Sequence, residues 1–172
     1  MLKIIAISII FFGCTYLGVY YGESFKRRSK QLKSILKSVM FLNNEVMYSN
    51  TPLPEALRYI SMKVERPIDD ILSKVAVSLD SGKSKSVYEA FSKEYHNSKS
   101  NLNLFEEDKG IIKDFLKGLG ESGVYGQDKL FNLTIENMKI NCKNADELAK
   151  KNSKMYSAIG ICIGAMIAIF LF

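Results

Sequence analysis

Both ends of the chain are uncharged and hydrophobic, which restricts it to folds that can accommodate two apolar rods. Residues 4–22 carry no charged side chain, and neither do residues 155–172. Each run is close to the roughly 18–20 residues a helix needs to cross the hydrocarbon core of a bilayer. Basic residues stand just inside both: Lys26, Arg27, Arg28 and Lys30 follow the first, and Lys150, Lys151 and Lys154 precede the second. Short basic flanks stay on the cytoplasmic side. The pattern predicts a hairpin, with transmembrane helices over 1–22 and 155–172 and a cytoplasmic domain over 23–154. Both termini are then expected on the far side with almost nothing exposed there.

A net charge of +6 resembles a nucleic-acid signal until the charges are placed. Residues 23–37 hold six Lys/Arg against Glu23, and residues 150–154 hold three more. The centre, 38–149, has 14 Lys/Arg and 17 Asp/Glu, so the body is mildly acidic and the positive charge sits at the membrane edges. Lysine and arginine beside an anionic leaflet contribute about 1 kcal/mol each. An acidic body repels nucleic acid, so none is expected as a partner.

Cys14 and Cys162 lie in the apolar ends, and Cys142 lies in a helical stretch. No C-x-x-C pair exists, so neither a zinc site nor a disulfide framework is suggested. At the N-terminus, no small-x-small cleavage site follows the apolar run, which disfavours a signal peptide. Gly13 precedes Cys14 as a lipoprotein box requires, but the bulky Phe11 and Phe12 stand before it.

The interior reads as helical throughout. Leu32, Ile35, Leu36, Val39, Leu42 and Val46 recur at three- and four-residue steps, one face of a helix over 26–48. Thr51-Pro52-Leu53-Pro54-Glu55 starts a second helix, with Thr51 as its expected cap. Pro67 opens a third, and Ser81-Gly82 closes it. A fourth carries Val87, Ala90, Phe91 and Tyr95. Asn103 is the expected cap of a fifth, whose first turn holds Glu106, Glu107 and Asp108, as the helix dipole favours. Gly118, Gly120, Gly123 and Gly126 then mark a turn, with glycines free to adopt left-handed conformations. From Gln127 to Ile159 there is no Gly or Pro, so the last helix should run unbroken into the second span, roughly 65–70 Å at 1.5 Å per residue. No segment alternates with period two. The expected fold is all-α: a bundle of about six helices flanked by two terminal transmembrane helices.

Chemical motifs fail on context. Gly118-Leu119-Gly120-Glu121-Ser122-Gly123 fits G-x-G-x-x-G, but it follows a helix and not a strand. Ser81-Gly82-Lys83-Ser84 resembles the end of a P-loop, but Val77 stands where the earlier glycine belongs. His96 lacks an orienting partner and a nucleophile. In Asp69-Asp70 and Glu106-Glu107 the neighbours point about 100° apart on a helix, so they do not converge on one substrate. No catalytic, cofactor-binding or metal-binding residue is assigned, and no cofactor or small-molecule substrate is expected.

Two segments carry a family resemblance: Thr51-Pro52-Leu53-Pro54-Glu55-Ala56-Leu57, and Leu119-Gly120-Glu121-Ser122-Gly123 continuing through Gln127 to Leu130 and Leu133. With an apolar run at each end, the whole chain resembles the stage III sporulation protein AB family of spore-forming Firmicutes. Relatives tend to have an acidic residue where Gly123 stands here. The resemblance implies a helical domain similar to the cytoplasmic domain of type II secretion platform proteins. It also implies a place in a channel complex of the mother-cell membrane facing the forespore. Implied partners are the membrane, the secretion-type hexameric ATPase (stage III sporulation protein AA) and other subunits of that complex. The resulting expectation is a multi-pass, non-enzymatic platform, with the turn at Gly118, Gly120, Gly123 and Gly126 as its pivot. The alternatives are a membrane-anchored adaptor outside any secretion machine, or a lipid-acting enzyme. The enzyme would need an acid/base pair at the membrane edge, where the sequence offers lysines and arginines.

Overall fold

The absence of a helix breaker between Gln127 and Ile159 has the expected consequence. The last helix, α6, is a single element of 48 residues, Val124–Leu171. At the other end, α1 runs unbroken over 46 residues, Leu2–Met47, so the N-terminal apolar run and the amphipathic stretch after it form one helix. Between them lie α2 (Leu53–Ser61), α3 (Ile68–Asp80), α4 (Val87–Asn97) and α5 (Glu106–Glu121). The computed structural model describes residues 2–49, 51–98, 102–121 and 124–171; of residues 2–7, 120, 121, 124, 125 and 171 it describes the backbone alone. The described residues form six α-helices and no strand.

The chain divides into two compact units, residues 1–29 with 143–172, and residues 30–142. The second unit is built on the helix faces read from the periodicity. Leu32, Ile35, Val39 and Leu42 of α1 are buried, as are Ala56, Leu57 and Ile60 of α2 and Ile68, Ile71, Leu72 and Val75 of α3. α5 adds Ile112 and Phe115, and α6 adds Phe131 and Met138. Phe115 and Phe131 meet edge-to-face at 5.2 Å, the arrangement the ring quadrupole favours.

The helix starts depart from the sequence reading. Thr51 does not cap α2: its hydroxyl donates to Glu45 Oε2 at 2.9 Å, and Pro52 occupies the cap position without a side-chain bond. Two prolines set φ for this first turn, so α2 starts without a capping oxygen. Asn103 does not cap α5 either; its backbone N–H donates to Gln31 Oε1 at 2.8 Å. Asp108 closes that helix start, because its Oδ2 accepts from the Phe105 N–H at 2.9 Å, half of a capping box. Ser86 caps α4 by accepting from Glu89 N–H, a role the sequence reading passed over.

Gly118 and Gly120 lie within α5 and Gly126 within α6, while Gly123 lies outside the described residues. Among the described residues, Gly82, which ends α3, is the glycine with a left-handed conformation, φ +66°. Of the two expected transmembrane helices, one has the length and composition to cross a membrane among the described residues: α6, over Gly126–Phe170.

Candidate functional site

The first unit brings the N-terminal part of α1 against the C-terminal part of α6. Its seam is made of residues without side-chain bulk. A Cβ added to Gly18 would stand 2.7 Å from Tyr156 O and 2.8 Å from Gly160 Cα. One added to Gly160 would stand 2.9 Å from Cys14 O and 3.0 Å from Gly18 Cα. One turn further along each helix, a Cβ added to Gly22 would stand 2.9 Å from Ser153 O, and one added to Gly164 3.2 Å from Phe11 O. The pairs 11 with 164, 18 with 160 and 22 with 153 run in opposite directions, so the helices are antiparallel. Gly18-x-x-x-Gly22 and Gly160-x-x-x-Gly164 thus place small residues on one face of each helix, and the backbones touch. Where lipid is as apolar as leucine, close van der Waals contact of this kind holds helices together. The sequence reading missed this seam, although both G-x-x-x-G spacings are visible in it.

The outward side chains of this pair are large and apolar. Ile9, Phe12, Tyr16 and Val19 of α1 are exposed, as are Ile159, Ile163, Met166 and Phe170 of α6. Below them lies an aromatic cluster. Tyr156 meets Tyr21 edge-on at 4.9 Å and stacks on Phe25 at 5.7 Å. The Arg27 guanidinium lies 4.9 Å from the centre of the Tyr20 ring. Aromatic rings followed by cations are the side-chain order of a bilayer's interfacial zone.

The seven predicted edge cations do not behave alike. Lys26, Lys30, Lys150, Lys151 and Lys154 are exposed, with Lys26 paired to Glu23 at 2.8 Å. Arg27 is half-buried against Tyr20, and Arg28 is only 3% exposed. Next to it, buried Ser29 donates its hydroxyl hydrogen to Asp146 Oδ1. Arg28 is therefore buried, where the sequence pattern had placed it at a solvated rim, and Ser29 links α1 to α6.

The glycines of the expected pivot are placed as follows. Gly118 sits inside α5, where an added Cβ would stand 2.9 Å from Leu130 Cδ2. Its smallness lets α5 and α6 approach within the second unit. The residues weighed for chemistry stay apart. His96 is exposed near the end of α4, Asp70 pairs with Lys74 at 2.7 Å, and Glu106 pairs with Lys109. Ser84 shares a hydrogen bond of 2.8 Å with Ser78 across the turn at Gly82. Among the described residues, no group of three or more His, Cys, Asp and Glu side chains is placed to hold a metal ion.

Comparison with known proteins gives a consistent result. The family described as stage III sporulation protein AB matches this chain over residues 3–172. Stage III sporulation protein AB of Bacillus subtilis (strain 168) is 25% identical over 171 residues, covering 99% of each chain. A solved structure of stage III sporulation protein AB superposes with a TM-score of 0.66 at 24% identity, covering 72% of this chain and 96% of that one. At this identity the structural likeness speaks for the fold.

Proposed function

This chain belongs to the stage III sporulation protein AB family, and from that premise we propose that it is a non-enzymatic membrane platform of a sporulation-specific, secretion-like channel complex between mother cell and forespore. The terminal helices form a two-span hairpin in the mother-cell membrane facing the forespore. The second unit lies on the cytoplasmic side and receives the secretion-type hexameric ATPase and other subunits.

The observation that carries the reading is the seam of Gly18, Gly22, Gly160 and Gly164, where two apolar helices touch backbone to backbone. A soluble bundle has no need to present Phe12, Ile163 and Phe170 outward along such a pair. A membrane hairpin does, and the aromatic cluster and exposed lysines then fall at its interfacial zone. α6 is a single helix of 48 residues that contributes residues to both units.

Two measurements test this. Cysteines introduced at exposed Arg66 and Lys113, in a chain without its native cysteines, should react with a membrane-impermeant maleimide only after permeabilisation. Labelling of intact cells would overturn the topology. Purification of the full chain from sporulating cells should recover the secretion-type ATPase, and recovery of unrelated signalling proteins in its place would favour an adaptor.

A further inference from the structure

Helices α4 and α5 leave an open groove of about 180 Å3 on the second unit, lined by Tyr88, Phe91, Tyr95, Ile112 and Leu116. That is many times the roughly 10–15 Å3 that one water needs, so the groove has room for an apolar side chain. One rim of the groove is basic. Lys109, Lys113 and Lys117 follow at four-residue steps and share one face of α5. Lys109 and Lys113 line the groove itself, and Lys117 Nζ lies 5.2 Å from the centre of the Tyr88 ring. Lys113 and Lys117 are exposed. This stripe contrasts with the acid excess of residues 38–149.

An apolar floor with a cationic rim selects a guest by both properties. We propose that the groove between α4 and α5 docks an acidic amphipathic segment of a partner protein. Leucine, isoleucine or aromatic anchors of that segment enter between Phe91 and Leu116, and its Glu or Asp side chains face Lys113 and Lys117, since Glu106 already holds Lys109. Helical peptides lie in apolar grooves in this way, with anchors at three- and four-residue spacing. A polyphosphate chain is the poorer fit, because the floor is apolar. The inference rests on the reading of the second unit as the part that receives other subunits, and names the chemistry of what it receives.

The test places a photoreactive benzoylphenylalanine at Ser92, which lines the groove, in the full chain expressed in sporulating cells. Mass spectrometry then reads the crosslinked peptide. The expected product joins Ser92→benzoylphenylalanine to a peptide of another protein in which acidic residues flank apolar anchors. Its yield should fall about tenfold when Lys113→Glu and Lys117→Glu remove both rim attractions and add repulsion. The milder pair Lys113→Gln and Lys117→Gln should give an intermediate yield, with helical content unchanged. No crosslink, a lipid adduct, a peptide from a second copy of this chain, a partner peptide without acidic residues, or a yield indifferent to both double variants would each overturn the proposal. Purification of the unaltered chain separates the two readings. If the ATPase complex is recovered while no groove crosslink forms, the groove fails alone; if the complex is not recovered, the platform reading fails.

Discussion

Gly18 and Gly160 lie so close that an added Cβ on either would come within 3.0 Å of the other's Cα. The atoms in the way are backbone, so they cannot rotate aside. Gly18→Leu must therefore force the helices apart, at a cost of about 1–3 kcal/mol, as overpacking a tight contact does. Gly13 lies on the same helix with open space around its Cα, so Gly13→Leu is the control. In detergent-solubilised full-length protein, thermal unfolding should occur at lower temperature for Gly18→Leu and stay near the parent for Gly13→Leu. Equal behaviour of the two would show that the glycine seam does not hold the pair together.

What the sequence discloses and what it hides follow one physical division. Periodicity reports which face of a helix is buried, so Leu32, Ile35, Ile71, Val75, Phe115 and Met138 are readable without coordinates. The unbroken course of α6 from Gln127 is readable too, but that of α1 is not, because Gly13, Gly18 and Gly22 stay helical within it. Caps are harder. The Thr51 hydroxyl is taken by Glu45 of α1, and Asn103 stands too far ahead of α5, which begins at Glu106, to cap it. Competition between a local and a distant partner is a tertiary fact. Arg28 is hidden for the same reason, since a charge count cannot tell a solvated rim from a buried face. The glycine seam was legible as spacing, and only its opposing helix required the structure.

A second pair of glycines separates packing from propensity. Gly110 in α5 has open space where its Cβ would be, so Gly110→Ala should stabilise the chain by about 0.5–1 kcal/mol through helix propensity and a less flexible unfolded state. At Gly118 in the same helix an added Cβ would stand 2.9 Å from Leu130 Cδ2. Gly118→Ala should lose that gain or reverse it, and Leu130→Val in the same chain should restore it. Chemical denaturation followed by circular dichroism gives the order. Stabilisation by Gly118→Ala alone, equal to that at Gly110, would remove the packing role.

Asp108 is 1% exposed and serves two elements of the second unit at once. Its Oδ2 accepts from Phe105 N–H, and its Oδ1 accepts from Asn141 Nδ2 at 2.9 Å. Asp108→Ala deprives both donors of this acceptor and should cost about 2–4 kcal/mol, since hydrogen bonds to a charged acceptor are among the stronger ones. Asp108→Asn keeps one acceptor oxygen and should cost less. In a double-mutant cycle with Asn141→Ala, the coupling should be about 1 kcal/mol or more. A coupling near zero would mean that the two side chains do not act together.

The groove between α4 and α5 also predicts a response to alkaline pH. Burial pushes the Tyr95 hydroxyl above the ordinary tyrosine value of 10.0, against the opposing effect of nearby Lys109. A hydrogen bond to Glu106 holds the Lys109 ammonium above the ordinary lysine value of 10.5, though partial desolvation works the other way. In both cases the folded chain holds its proton to higher pH than the unfolded chain does. Above pH 10 the unfolded state therefore binds fewer protons, and stability falls as pH rises. The contribution is fully present below the unfolded values and is lost as pH passes through the raised ones. Carbon-13 labelling at tyrosine Cζ, with Tyr95→Phe for assignment, should give a Tyr95 resonance that titrates above pH 10. Glu106→Gln removes the carboxylate that holds Lys109 charged, so Lys109 should titrate at lower pH in that variant. A Tyr95 resonance that ionises at or below pH 10 in the folded chain would show that the ring is solvated and that the groove is shallower than described.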